Sequence, residues 1–282
     1  MKEKIAILTD SGSDVLKEGH ENLFVLPLLI HIDETTYTDG LNITVDEVLN
    51  LIDDHKIKTS LPSPDVIMST LNTIKDLGYT HVIANTISSG LSGTYNIIRV
   101  IAEEYEGLEI ALIDTKNISK GSGYTTVTCL ELIEQGKSYK EIIKELEARI
   151  YNNKVFFTVK TVEYLRKGGR IGLVASAIAS VLDIKPIISC NEDGVYHSIK
   201  NIRGYQKAIN RIFELAKSFV EDAKAYDITL LVTKIDQKVN EISERVKNMF
   251  DKLAKFEIKK ITPALAIHTG PEAFGIALRK IN

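Results

Sequence analysis

The sequence predicts an α/β protein of two domains. A Rossmann-like parallel sheet is expected over residues 1–155, and a second α/β domain with a mixed sheet over residues 156–282. Three observations carry this reading. Short apolar runs alternate with helical patterns through the first 150 residues, as in a parallel sheet covered on both faces. The later chain changes character: two short runs flank Glu192-Asp193-Gly194, whose Asp-Gly is a hairpin signal, and long amphipathic helices follow. The length of 282 residues accommodates two units of ordinary size, ~150 residues each.

In chain order, residues 4–9 form a short Ile-containing run, a buried strand that ends in the polar loop Thr9-Asp10-Ser11-Gly12-Ser13-Asp14. Residues 24–30 are expected as a second strand, placed at an edge or bulge by Pro27. Thr44 and Glu47 make a capping box for a helix to about residue 53. Ser63 and Pro64 supply the N-cap and first residue of a helix through residue 77, after a rigid turn displaying Thr59 and Ser60. Strands are expected at 81–84 and 109–113, with helices at 95–105, 120–134 and 139–151. Beyond the boundary come a strand at 155–159, a helical turn at 161–167 and a helix of small residues at 173–182. A hairpin (184–189, 195–200), helices at 205–224 and 237–253, and strands at 228–232 and 256–261 complete the list.

Composition restricts the function classes. Hydrophobic residues make up 44% and charged residues 26%, with a net charge of −3 and the basic residues scattered. That describes a soluble globular chain without the basic stripe of a nucleic-acid binder. No apolar run approaches the ~18 residues of a membrane span, and Met1-Lys2-Glu3-Lys4 leads straight into a strand without a secretory core. Cys129 and Cys190 lie far apart in apolar surroundings, read as reduced core residues of a cytoplasmic protein.

The chemistry concentrates at Ser88-Ser89-Gly90-Leu91-Ser92-Gly93-Thr94-Tyr95, which links a strand to a helix start. Free N–H groups and the positive helix end favour an anion there. Three hydroxyl-rich loops, after Thr9, around Thr59 and after Thr86, are expected to converge on one sheet edge and to hold a polar ligand group. Two enzyme readings compete. Gly90-Leu91-Ser92-Gly93-Thr94 nearly writes a nucleophile elbow, with Ser92 as nucleophile and His268 as base, but Thr94 replaces the final Gly. Asp227 or Asp236 as a third member has no supporting motif. Gly136-Lys137-Ser138 resembles the end of a phosphate-binding loop, yet Glu131 occupies the first Gly position and the stretch lies between helices. No clustered metal ligands and no dinucleotide fingerprint appear.

Five blocks in order, Thr9-Asp10-Ser11, Thr59-Ser60-Leu61-Pro62-Ser63, the 88–95 stretch, Tyr164-Leu165-Arg166-Lys167-Gly168-Gly169-Arg170-Ile171 and His268-Thr269-Gly270-Pro271, resemble the signature blocks of the DegV family. The resemblance implies a two-domain DegV-like fold with a long-chain fatty acid buried between or within the domains. It further implies a carrier subunit, without its own ATP site, that presents the acid's carboxylate to a separate ATP-dependent fatty acid kinase for acyl-phosphate formation. On that reading Thr59, Ser60, Ser92 and the amide of Gly93 supply donors to the carboxylate, and Arg170 and His268 complete the headgroup site. Arg203, after the hairpin, is the candidate docking residue for the kinase. The expected partners are the fatty acid, the kinase and, transiently, a membrane surface; no metal or cofactor is expected. Small residues at Ala175, Ala177 and Ala179 fit either an acyl slot or close helix packing. Glu272 stands where the family often has Gly, and Leu61 where a polar residue such as Gln is common.

Overall fold

A computed structural model describes residues 3–15, 17, 19–177 and 183–281. The first half runs β1 (Ile5–Asp10), a 3-10 turn (Ser11–Ser13), β2 (Leu23–Leu26), β3 (Leu29–Ile32), β4 (Thr35–Thr38), α1 (Val45–Leu51), β5 (Ile57–Ser60) and α2 (Pro64–Asp76). It continues with β6 (His81–Thr86), α3 (Thr94–Glu104), β7 (Glu109–Asp114), α4 (Ser119–Glu134) and α5 (Tyr139–Arg149). Then come β8 (Asn153–Thr158), α6 (Glu163–Lys167), a 3-10 segment (Gly172–Ala177), β9 (Ile184–Cys190), β10 (Tyr196–Arg203) and α7 (Tyr205–Phe219). The chain closes with β11 (Ala225–Val232), α8 (Gln237–Met249), β12 (Leu253–Lys260), α9 (Pro263–Thr269) and β13 (Phe274–Ile281).

Among the described residues these strands make three sheets. The order β2-β1-β6-β7 is wholly parallel. The order β10-β9-β8-β13-β11-β12 is mixed, with only β11 and β12 parallel. A small antiparallel sheet, β4-β3-β5, stands beside them. Every residue of β1 is buried, as a central parallel strand requires. Ile67, Leu71 and Ile74 of α2 and Ile98 of α3 cover one face of the parallel sheet. Cys129 and Leu132 of α4, with Ile142 and Leu146 of α5, cover the other.

Helix α4 packs against β1 and β6 on one side and β8 and β13 on the other. It is buried over most of its length and therefore has no polar stripe; its glycines and hydroxyls serve close packing. A Cβ at Gly123 would lie 2.3 Å from the carbonyl oxygen of Ser13, so a larger residue would push α4 off the 3-10 turn after β1. The mixed sheet buries Ile228, Leu230, Ile276 and Leu278 under α7 and α8. Its other face joins Val155, Phe157, Ile188 and Leu231 to Ile87, Ile118 and Tyr124 from the first half.

Several expectations are corrected. Residues 24–30 are two strands in different sheets, because Pro27 cannot donate to a ladder and the chain turns there. Thr59 and Ser60 lie on β5, paired with Ile30 and Leu29, instead of on a turn. The helices expected at 205–224 and 237–253 stop at Phe219 and Met249. The expected helix at 173–182 is a 3-10 segment as far as Ala177, and its remainder, with Ala179, lies outside the described residues. Helix α9 and strand β13 go beyond the sequence expectations. Gly136-Lys137-Ser138 is an interhelical link: Gly136 has φ 74°, and Ser138 forms a capping box with Glu141 at the start of α5. Cys129 and Cys190 are free and buried, and burial pushes both thiols up to about 12. Among the described residues no helix is long and apolar enough to cross a membrane.

Candidate functional site

A cavity of about 190 Å³ opens where β5, the 88–94 loop, α9 and the turn after α6 meet. All six residues expected at a headgroup line it: Thr59 and Ser60 from β5, Ser92 and Gly93 from the loop, Arg170 from the turn and His268 from α9. Arg203 is elsewhere, exposed at the end of β10 and opposite Ile184 in the ladder. The 9–14 loop meets the loop after Thr86 but does not line the cavity, which corrects the expected part of that first loop in holding a ligand. It is buried behind the cavity, where Asp10 Oδ2 accepts a 2.9 Å hydrogen bond from the N–H of Ile87.

The 88–94 loop is held by its own hydroxyls. Asp114 accepts from the N–H and hydroxyl of Ser89, and Ser88 Oγ accepts from Gly90 N–H at 3.1 Å. Only Ser92 of the four loop hydroxyls faces the cavity. Its Oγ lies 2.8 Å from Thr94 Oγ1 and accepts from the N–H of Thr94, at the start of α3. Arg170 donates from Nη1 to the carbonyl of Gly168 at 2.7 Å and from Nε to that of Leu91 at 3.3 Å. Its three other N–H groups make no hydrogen bond among the described residues, and the side chain lines the cavity.

His268 and Thr59 share a 2.7 Å hydrogen bond through Nε2 and Oγ1. Nδ1 is buried without a partner among the described residues. Burial, and secondarily the charge of Arg170, lower its pKa to about 4, so the ring is neutral at physiological pH. Gly168 makes room for it: a Cβ there would lie 2.1 Å from Nδ1.

Helix α9 reaches this position through buried carboxylates of the first half. Asp14 Oδ1 accepts from Thr262 N–H at 3.0 Å, and Asp39 Oδ1 from Ala264 N–H at 2.8 Å. Burial raises the pKa of both, and of Asp10, with Asp10 and Asp14 at about 7.

A second cavity, of about 40 Å³, is lined almost wholly by apolar groups including Val155, Phe157, Leu231, Ile261 and Ala273. Ile118, Tyr196 and Leu265 line both cavities and make their common wall. The two cavities are thus neighbours, parted by these three side chains.

The DegV family model, described as an uncharacterised protein family, matches residues 4–280. A DegV domain-containing protein of Clostridium acetobutylicum is 36% identical, the match covering 99% of each chain. The chain belongs to the DegV family. Among solved DegV structures, one from Thermus thermophilus described as fatty-acid binding superposes with a TM-score of 0.91 at 27% identity, covering 98% of this chain and 99% of that one. A fatty-acid-binding DegV protein of Streptococcus agalactiae gives 0.89 at 29% identity, covering 99% and 100%.

The two departures from the DegV pattern have clear settings. Glu272 has φ 61°, the left-handed region that favours glycine, and is held there by Lys160 on its carboxylate and by Tyr205 on its carbonyl. Leu61 lines the polar cavity and would touch a side chain placed at Gly93, 3.4 Å away. Sequence reasoning missed the shared wall of Ile118, Tyr196 and Leu265. For Leu265 a signal existed: Thr262-Pro263 is the same N-cap and N1 pair as Ser63-Pro64. Tyr196 carries none, since only the sheet pairing brings it to the site.

Proposed function

We propose that this DegV protein binds a long-chain fatty acid, with the carboxylate at Thr59, Ser60, Ser92, Gly93, Arg170 and His268 and the tail in the apolar interior. The observation that carries this reading is that the cavity holding these hydroxyls, Arg170 and His268 shares the wall Ile118, Tyr196 and Leu265 with an apolar cavity. An amphipathic ligand satisfies both ends: hydroxyls and Arg170 for the anion, and burial worth about 0.8 kcal/mol per CH₂ for the tail. The fatty-acid binding described for the two solved relatives supports it. On this account the site joins the proposed domains, 1–155 giving Thr59 and Ser92, 156–282 giving Arg170 and His268.

We further propose that the protein is a cytoplasmic carrier. It would take the acid from a membrane surface and offer the carboxylate to a separate ATP-dependent kinase docked at Arg203, without an ATP site of its own. A serine hydrolase fits less well. Ser92 bonds Thr94, His268 bonds Thr59, and among the described residues no hydrogen bond joins Ser92 to His268. Ser92 also lacks the strained positive φ of an elbow. Titration with a fluorescent long-chain fatty acid tests the reading: the wild type should bind it, and Arg170→Ala or His268→Ala should weaken it. A fluorophosphonate that labels Ser92, with labelling lost in His268→Ala, would establish the hydrolase instead.

A further inference from the structure

We infer that Ala273 sets the longest acyl chain this protein accepts, an inference that rests on the fatty-acid reading above. The apolar cavity shares Ile118, Tyr196 and Leu265 with the polar one, and Ala273, Phe274 and Gly275 form one part of the rest of its wall. Ala273 and Phe274 also line an outer groove of about 520 Å³, beside Val232, Ile235 and Val239. The partition between the interior and that groove is therefore the single stretch of chain at 273–274.

Of Ala273, Phe274 and Gly275, Ala273 alone can tune the space. Phe274 belongs to the core under α7, where its ring meets Phe213 edge-on at a centroid distance of 5.8 Å. Gly275 admits no side chain, since a Cβ there would lie 3.0 Å from Phe157 Cβ and 3.2 Å from the Phe156 carbonyl. Ala273 is buried in the inner cluster with Val155, Phe157 and Leu231, so each carbon added to it takes space from the tail. Glu272, fixed in its left-handed conformation by Lys160 and Tyr205, holds the partition in place on the outer side.

The test is a binding titration of the wild type and Ala273→Leu with saturated fatty acids from decanoic to eicosanoic. Each methylene denied to the tail weakens binding about fourfold. Ala273→Leu should therefore keep the affinity for the shortest acids and lose it progressively for the longest, moving the optimum to shorter chains. Thermal melts establish that the variant is folded; if Leu is too large to fold, Ala273→Val should give the same shift in smaller measure. A folded variant with the wild-type chain-length profile overturns the assignment and leaves the fatty-acid reading standing. A wild type that binds no member of the series overturns that reading, and the assignment with it.

Discussion

At the scale of single residues, the site depends on what is missing as much as on what is present. Gly168 has no side chain, and the ring of His268 occupies the space a Cβ would need, 2.1 Å from Nδ1. Gly168→Ala should displace His268 from Thr59 and weaken fatty-acid binding without touching the ligand. Isothermal titration would read the loss, and an unchanged affinity would mean that His268 does not hold the headgroup. Ser92→Ala should cost about 1–3 kcal/mol of binding, the range for a charged acceptor left short of a donor. The meeting of Thr59, Ser92, Arg170 and His268 at one cavity was legible through the resemblance of their short blocks to the DegV pattern. The hydroxyls were legible less well. Ser88, Ser89 and Thr94 look like ligand donors in the linear text but brace the loop and the helix start, a division that only burial and pairing decide.

At the scale of elements, α9 is the piece on which the site turns, and it is clamped by acids from the other half of the chain. Asp14 and Asp39 accept from its first N–H groups, and Asp10 holds the chain at Ile87. Asp10 and Asp14 ionise near pH 4 when unfolded but at about 7 when folded, so between those values the folded state binds more protons. Their contribution to stability therefore falls as pH rises from about 4 to 7 and is flat above. His268, lowered to about 4, acts in the opposite sense below its unfolded pKa. Two acids against one imidazole leave the acids dominant. Urea unfolding of Asp10→Asn should show a smaller loss of stability between pH 5 and 8 than the wild type; an identical pH profile would contradict a buried, protonating Asp10. The clamp was hard to foresee. Thr9-Asp10-Ser11 reads as a ligand loop, and nothing local shows that residues 248 positions apart, Asp14 and Thr262, will meet.

At the scale of the whole molecule, the parallel sheet was legible from alternating runs, because β1 and β6 are buried nearly throughout and α2 and α3 each bury one apolar stripe. The small sheet β4-β3-β5 was not, since its strands are four residues each and half-exposed, too short for a period to declare itself. Strand β13 lies between β8 and β11 in the mixed sheet, yet the sequence reading places no strand after residue 261. The polar cavity opens between residues of both halves, and the proposed kinase surface is remote from it in the ladder of β9 and β10. Arg203→Ala should accordingly leave lipid affinity intact while slowing acyl-phosphate formation with the cognate kinase; lipid release comparable to Arg170→Ala would assign Arg203 to the pocket instead. The central claim, that the two neighbouring cavities hold a fatty acid, is tested most directly by native mass spectrometry of the protein as purified from cells. The account predicts a mass excess of one fatty acid per chain that disappears on denaturation. A native mass equal to that of the polypeptide alone, unchanged after a long-chain fatty acid is added, would contradict it.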